Sequence, residues 1–204
     1  MLELLVVRHG QSVADIENRF EGRADFELTS LGIEQATRAA QFINTYYKPD
    51  LIISSPLKRA SKTAEFISSA CKVELFFEEE IMEWNNGLLA GLPREEGMLK
   101  FPLPPGGRKP HDTSAETESF IQFRARAETF LSKLLSQFSD TNQRICIVSH
   151  GGFINMLFRS FLRLPVNMET SISSGDTGIH LWRIDRNERE IIFTNYQEHI
   201  RDLI

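Results

Sequence analysis

Two short apolar runs in this chain end in the same way. Leu4-Leu5-Val6-Val7 leads into Arg8-His9-Gly10, and Ile145-Cys146-Ile147-Val148 leads into Ser149-His150-Gly151-Gly152. A continuous apolar run of this length reads as a strand buried on both faces, as found in sheets covered by helices on each side. In open α/β sheets the ligand site lies beyond the carboxyl ends of the strands. Both runs therefore deliver an imidazole and a glycine to a binding edge, and the first adds an arginine. Either tripeptide alone is an ordinary turn; the repetition is what constrains the fold.

The rest of the chain alternates in the way such a sheet requires. Thr29-Ser30 reads as a helix start, with Leu31, Gln35-Ala36, Ala39-Ala40 and Ile43 on one face. Leu51-Ile52-Ile53 is a second strand. It enters Ser54-Ser55-Pro56, where a serine cap and a first-turn proline open a helix through Ala60, Ala64 and Ile67. Val73 to Phe77 is a partly buried third strand. Phe120, Phe123, Ala127, Phe130-Leu131 and Leu134-Leu135 form one apolar helical stripe, and Gly151 to Leu162 is a further helix. Ile179–Ile184 and Glu190–Thr194, joined by Asp185-Arg186-Asn187-Glu188, read as a C-terminal hairpin. Between Asn85 and Ala115, Pro93, Pro102, Pro104-Pro105, Gly106-Gly107 and Pro110 exclude regular structure over much of the segment, which reads as an inserted lid or binding loop. The expectation is a single domain over residues 1–204: a three-layer αβα sandwich with a mostly parallel central sheet, a C-terminal edge hairpin and an inserted lid at about 85–115.

A formal net charge of -5 argues against a sequence-independent nucleic-acid binder. An acidic chain that handles an anion must gather its cations locally, as a pocket does. Cys71 and Cys146 are too few for a disulfide scaffold and read as buried thiols. Met1 runs almost directly into the first strand, with no basic segment and long apolar stretch. Neither secretion nor a membrane is indicated, and a cytoplasmic setting is expected.

Chemistry-bearing side chains cluster at or just past the strand ends: Arg8 and His9, Arg59, Glu83 and His150. Arginine presents a planar fork to phosphate oxygens, and histidine a lone pair that can attack phosphorus. Arg59 falls in the first turn of its helix, whose amino end already favours anions.

With these residues in place the chain resembles the histidine phosphatase superfamily, in the branch that also holds cofactor-dependent phosphoglycerate mutases. The resemblance rests on Arg8-His9-Gly10-Gln11-Ser12, Gly22, Leu28-Thr29 and Gly32 with Gln35-Ala36. It continues through Ser54-Ser55-Pro56-Leu57 with Arg59-Ala60 and Thr63-Ala64, Glu83 with Gly87 and Gly91, and Ser149-His150-Gly151-Gly152. It implies that His9 is the nucleophile that becomes phosphohistidine and that Arg8, Arg59 and His150 hold phosphoryl oxygens. Glu83 would give a proton to the leaving oxygen, and Ser12, Asp15, Glu21, Gly22 and Gly151 would complete the substrate wall. Cationic neighbours keep the His9 lone pair available and stabilise the transferring group, while an approaching phosphate dianion favours the protonated Glu83 carboxyl. Guanidinium and imidazolium supply the positive charge, so neither a metal nor another cofactor is expected.

The chain departs from the family at three places. Asp15 stands where many relatives carry asparagine, and Glu21 where glutamine is common; an ionised carboxylate cannot donate to phosphate and repels it. Asp15 is expected to pair with Arg19 one turn on, or to meet a hydroxyl or cationic part of the substrate. Glu83-Trp84-Asn85-Asn86-Gly87 alters the usual glutamate-tryptophan-glutamate-glycine pattern. Arg94, Arg108, Lys109 and His111 in the irregular segment read as solvated, with the alternative that one reaches over the site to select substrates. Trp84 and Phe101 read as core, or as the floor of an apolar pocket.

The expected activity is that of a phosphoric monoester hydrolase, a histidine acid or neutral phosphatase, acting on a small-molecule phosphate ester. A cofactor-dependent phosphoglycerate mutase and a non-catalytic binding protein of the same fold are the alternatives. The short chain and the Asp15 and Glu21 carboxylates weigh against the mutase, and the intact five-residue set weighs against the binding protein. A homodimer stays open.

Overall fold

A computed structural model describes residues 1–139, 141–166, 170–186 and 188–203. Six strands form one sheet: β1 (Leu2–Arg8), β2 (Leu51–Ser54), β3 (Leu75–Phe77), β4 (Arg144–Ser149), β5 (Ile179–Asp185) and β6 (Glu188–Tyr196). Their order is β3-β2-β4-β1-β5-β6. β1 to β4 are mutually parallel where they pair, and the C-terminal pair β5 and β6 runs antiparallel along one edge. The helices are α1 (Val13–Ile16), α2 (Ser30–Tyr46), α3 (Lys58–Cys71), α4 (Arg94–Lys100), α5 (Phe120–Phe138) and α6 (Gly151–Phe161). α5 and α6 bury Phe123, Phe130, Phe153 and Leu157 against one face of the sheet, while α2 and α3 bury Ala40, Ile43, Ala64 and Ile67 against the other. Because both faces are covered, β1 and β4 are almost wholly buried and could be read as continuous apolar runs. This is the expected αβα sandwich with its edge hairpin. Among the described residues no helix is long and apolar enough to cross a membrane.

Local signals set most boundaries. The Thr29 hydroxyl accepts from Gly32 N at 2.9 Å and opens α2, whose buried face runs through Gly32, Gln35, Ala36, Ala39, Ala40 and Ile43; Leu31 is only half-buried. A capping box between Ser119 and Gln122 opens α5. Both cysteines are buried, and burial pushes the Cys146 thiol pKa up.

Two expectations need correction and two gain detail. Ser54-Ser55-Pro56 does not cap α3, which begins at Lys58 with Leu57 as its cap; the free Lys58 N–H is taken at 2.7 Å by Asp25 from a distant loop. The third strand is shorter than expected. Lys72 turns left-handed after α3, and pairing starts only at Leu75, leaving Phe76 and Phe77 exposed because β3 is the sheet edge. The segment 85–115 contains regular structure: α4 starts directly after Pro93, which sits at its cap and needs no N–H there. The hairpin ladder extends inward to Asp185 and Glu188, and Asn187 of its connection lies outside the described residues.

Candidate active site

Strand register brings the two histidines together. β1 and β4 are parallel neighbours with Arg8 opposite Ser149, so the next residues, His9 and His150, emerge side by side. The His9 N–H donates to Ser149 O at 3.0 Å, and the ring centroids stand 5.1 Å apart. β2 flanks β4 with Ser54 opposite Val148, and Ser55 N–H continues the ladder to Val148 O at 3.0 Å. That register carries Ser55 to His150 and Arg59 to His9.

The His9 ring is held by its Nδ1, which lies 2.8 Å from the Gly10 carbonyl. A carbonyl only accepts, so Nδ1 carries the hydrogen and Nε2 the lone pair; this tautomer is assigned from the bonding pattern. Arg59 Nε donates towards that lone pair at 3.3 Å. Burial, and after it the Arg59 and Arg8 charges, push the His9 pKa well below the usual histidine range, against the pull of the Gly10 carbonyl. Arg59 is fully buried and is itself fixed by the Gly22 and Ala24 carbonyls at 2.8 and 3.0 Å. Gly22 reaches that position with φ +51, and a side chain there would strike Asn86.

His150 is wholly buried, and its Nε2 lies 2.8 Å from Ser55 Oγ. Ser55 Oγ accepts from Leu57 N–H at 3.3 Å, so its own hydrogen is available to His150 Nε2. With Ser55 as donor the proton of the neutral ring is assigned to Nδ1, which has no partner among the described residues. Burial, then the Arg59, His9, Arg8 and Arg126 charges, push the His150 pKa well below the usual histidine range. Arg8 is braced by Ser174 O at 2.7 Å and Asp176 Oδ1 at 3.5 Å, and its buried Nε is likewise unpartnered among the described residues. Two unpaired donors beside the nucleophile are suited to an anion.

Glu83 arrives from the loop after β3. Its carboxylate accepts from Gly152 N at 2.9 Å, Phe153 N at 3.1 Å and Trp84 N at 2.8 Å, and so sits on the amino end of α6. Arg126 of α5 clamps that loop through Glu80 O, Met82 O and Glu83 O, and pairs with Glu118. His9, Arg8, Glu21, Glu83, Gly151 and Gly152 open onto one cavity of about 540 Å³. Arg59 and His150 stand behind His9 rather than on the cavity wall, as their full burial requires.

Asp15 does not pair with Arg19. It closes a capping box with Ser12 and lies 3.9 Å from Arg8, whereas Arg19 binds Glu17 and the Gly91 carbonyl. Of the cations in the irregular segment only Arg94 lines the cavity, lying over the Phe20 ring. Arg108 covers Trp84 and bonds Thr117, while Lys109 and His111 are exposed. Trp84 lines the cavity and packs on Phe120 and Phe123; Phe101 does not reach it. Sequence reasoning missed Arg126, Ser174, Asp176 and the second role of Ser55. An arginine placed within the apolar helical stripe, between Phe123 and Phe130, was the one available signal, at Arg126.

A cavity at the carboxyl edge of a doubly covered sheet, with His9 and Arg8 on its wall and Arg59 and His150 packed behind, has the chemistry that phosphoryl transfer needs. The chain belongs to the histidine phosphatase superfamily, branch 1, whose sequence model matches residues 4–197. It is 32% identical over 200 residues to a probable phosphoglycerate mutase of Escherichia coli O1:K1 / APEC, covering 92% of this chain and 86% of the relative. It is 27% identical over 203 residues to phosphoserine phosphatase 1 of Hydrogenobacter thermophilus, covering 98% and 95%. A crystal structure of a mutant phosphoserine phosphatase from Entamoeba histolytica with phosphoserine matches with a TM-score of 0.81 and 28% identity, covering 98% of this chain and all of that one. The family is one of phosphatase-type enzymes that act on phosphate esters.

Proposed function

We propose that this chain is a phosphomonoesterase that hydrolyses a small phosphorylated metabolite through a phosphohistidine at His9. The observation that carries the reading is the His9 ring, whose Nδ1 is tied to Gly10 O so that the Nε2 lone pair is the free nucleophile beside His150, Arg8 and Arg59. Nε2 attacks phosphorus, the bond to the leaving oxygen breaks, and the protonated Glu83 gives that oxygen its hydrogen. Water then attacks the phosphohistidine, Glu83 takes its proton, and the N–P bond breaks to free phosphate and His9. Guanidinium and imidazole N–H donors hold the charge spread over the phosphoryl oxygens. Arg19 and Arg94 on the cavity wall suit a substrate with a further acidic group, in keeping with the phosphoserine named for two relatives.

A phosphoglycerate mutase would use the same nucleophile but return the phosphoryl group to the product. The Asp15 carboxylate on the cavity wall opposes the bisphosphate that such a reaction must hold. The test is phosphate release from a panel of monoesters, phosphoserine and phosphoglycerates included, alongside acid-labile label trapped at His9. Release that His9→Ala abolishes is expected. Isomerisation of a phosphoglycerate with negligible release overturns hydrolysis, and turnover unchanged in His9→Ala overturns the mechanism.

A further inference from the structure

One carboxylate stands where the phosphoryl group has to go. Glu21 Oε2 lies 4.0 Å from His9 Nε2, and Oε1 lies 3.4 Å from Arg59 Nε, with the side chain 17% exposed. Glu21 Oε1 is also hydrogen-bonded to Ser12 Oγ. Ser12 Oγ stands 2.9 Å from Asp15 Oδ2 as well, and accepts from Asp15 N–H at 3.4 Å. One hydroxyl hydrogen cannot serve two carboxylates. A proton on Glu21 resolves the conflict, since the acid then donates to Ser12 Oγ and the hydroxyl donates to Asp15.

The titratable and charged groups that face Glu21 are His9 and Arg8 at the end of β1, Asp15 of α1 and Arg59 of α3. Burial raises the Glu21 pKa, and Asp15 adds to it; Arg59, the Ser12 hydrogen bond and Arg8 pull the other way without cancelling it. A phosphoryl group on His9 Nε2 would press its oxygens against Glu21. An ionised carboxylate repels them, whereas a carboxylic acid donates a hydrogen bond to one of them.

We propose that Glu21 is a proton-linked gate on the phosphoryl site: the ester is accepted when Glu21 carries a proton, which it shares with a phosphoryl oxygen, and turned away when Glu21 is ionised. The gate rests on the phosphatase reading and adds to it a dependence of substrate capture on one identified proton. The Glu21 O–H bond forms by uptake of a proton from solvent before the ester binds and breaks by its return to solvent when Glu21 ionises; no bond of the ester changes in this step.

Glu21→Gln places an amide of the same shape, able to donate at every pH, at this position. Phosphate release from one ester is measured for both proteins across the acid-to-alkaline range. The ratio of kcat/KM, variant over wild type, cancels the titration of the ester, and loss of the Glu21 charge beside His9 alters only the acid limb. Expected is a ratio that climbs by up to about tenfold per pH unit above the Glu21 pKa. A ratio that stays flat overturns the gate, whether the variant is faster, slower or equal throughout. Should Glu21→Gln not fold, Glu21→Ser also removes the titrating group, and its ratio must climb in the same way. A wild type that releases no phosphate takes down the phosphatase reading and the gate with it; turnover with a flat ratio takes down the gate alone.

Discussion

A methyl group at position 152 has nowhere to go. Built on the backbone, it would stand 2.3 Å from Glu83 Oε1, 3.0 Å from Cδ and 3.2 Å from Oε2. Moving Oε1 from 2.3 Å to an ordinary 3.4 Å withdraws the carboxylate by about 1 Å, a misplacement that costs on the order of 100-fold where reacting groups must be aligned. Gly152→Ala should therefore impair proton donation while leaving the fold intact. Alanine is the better helix former by up to about 1 kcal/mol, which offsets part of the strain, so Tm should move by no more than about 4 °C. The assay compares two esters. An alkyl phosphate needs a proton on its leaving oxygen, whereas an aryl phosphate with an acidic leaving group does not. The expected result is a kcat loss of about 100-fold on the alkyl ester and less than about tenfold on the aryl ester. Equal losses on both, or no loss on either, would refute the placement of Glu83 as the donor.

Arg126→Met should destabilise the protein by about 3–5 kcal/mol, because the half-buried Glu118 carboxylate and three backbone carbonyls lose their common donor. Urea unfolding measures this, and a change below about 1 kcal/mol would remove Arg126 as the clamp on the Glu83 loop. His180 is fully buried, and burial pushes its pKa down to about 4, whereas in the unfolded chain it titrates near 6.5. Between those values the unfolded state holds the extra proton. The His180 contribution is thus complete above about pH 6.5 and is lost as the pH falls, amounting to about 3 kcal/mol by pH 4. Asp176 and Glu21, with raised carboxyl pKa values, tilt the curve the other way, so the readout is the difference between wild type and His180→Gln. Unfolding free energies of the two proteins that stay parallel from about pH 7 to about pH 5 would contradict it.

Much of the architecture was legible because it is written locally. β1 and β4 are buried on both faces and so read as unbroken apolar runs, and α2 announces itself with a threonine cap and a helical period. The misreadings share a cause. Ser55 looked like a cap, but Asp25 supplies that hydrogen bond from a remote loop, which leaves Ser55 for His150. Asp15 looked like a helical partner for Arg19, yet it folds back onto Ser12 instead. β3 looked half-buried because nothing in Val73 to Phe77 tells an edge strand from an inner one. Ser174, Asp176 and Arg126 carried no site motif, since each acts on Arg8 or the Glu83 loop through contacts made only on folding.

By itself the amino-acid sequence determined the main sheet and helix segments and which side chains stand at the strand ends, because run length, period and turn residues act over a few neighbours. Only the tertiary structure decided that β4 lies beside β1 in a register that sets the imidazoles 5.1 Å apart. It also decided that a carboxylate, Glu21, faces the nucleophile. Strand order and loop placement depend on packing between segments far apart along the chain, and that information is held in no single stretch of residues.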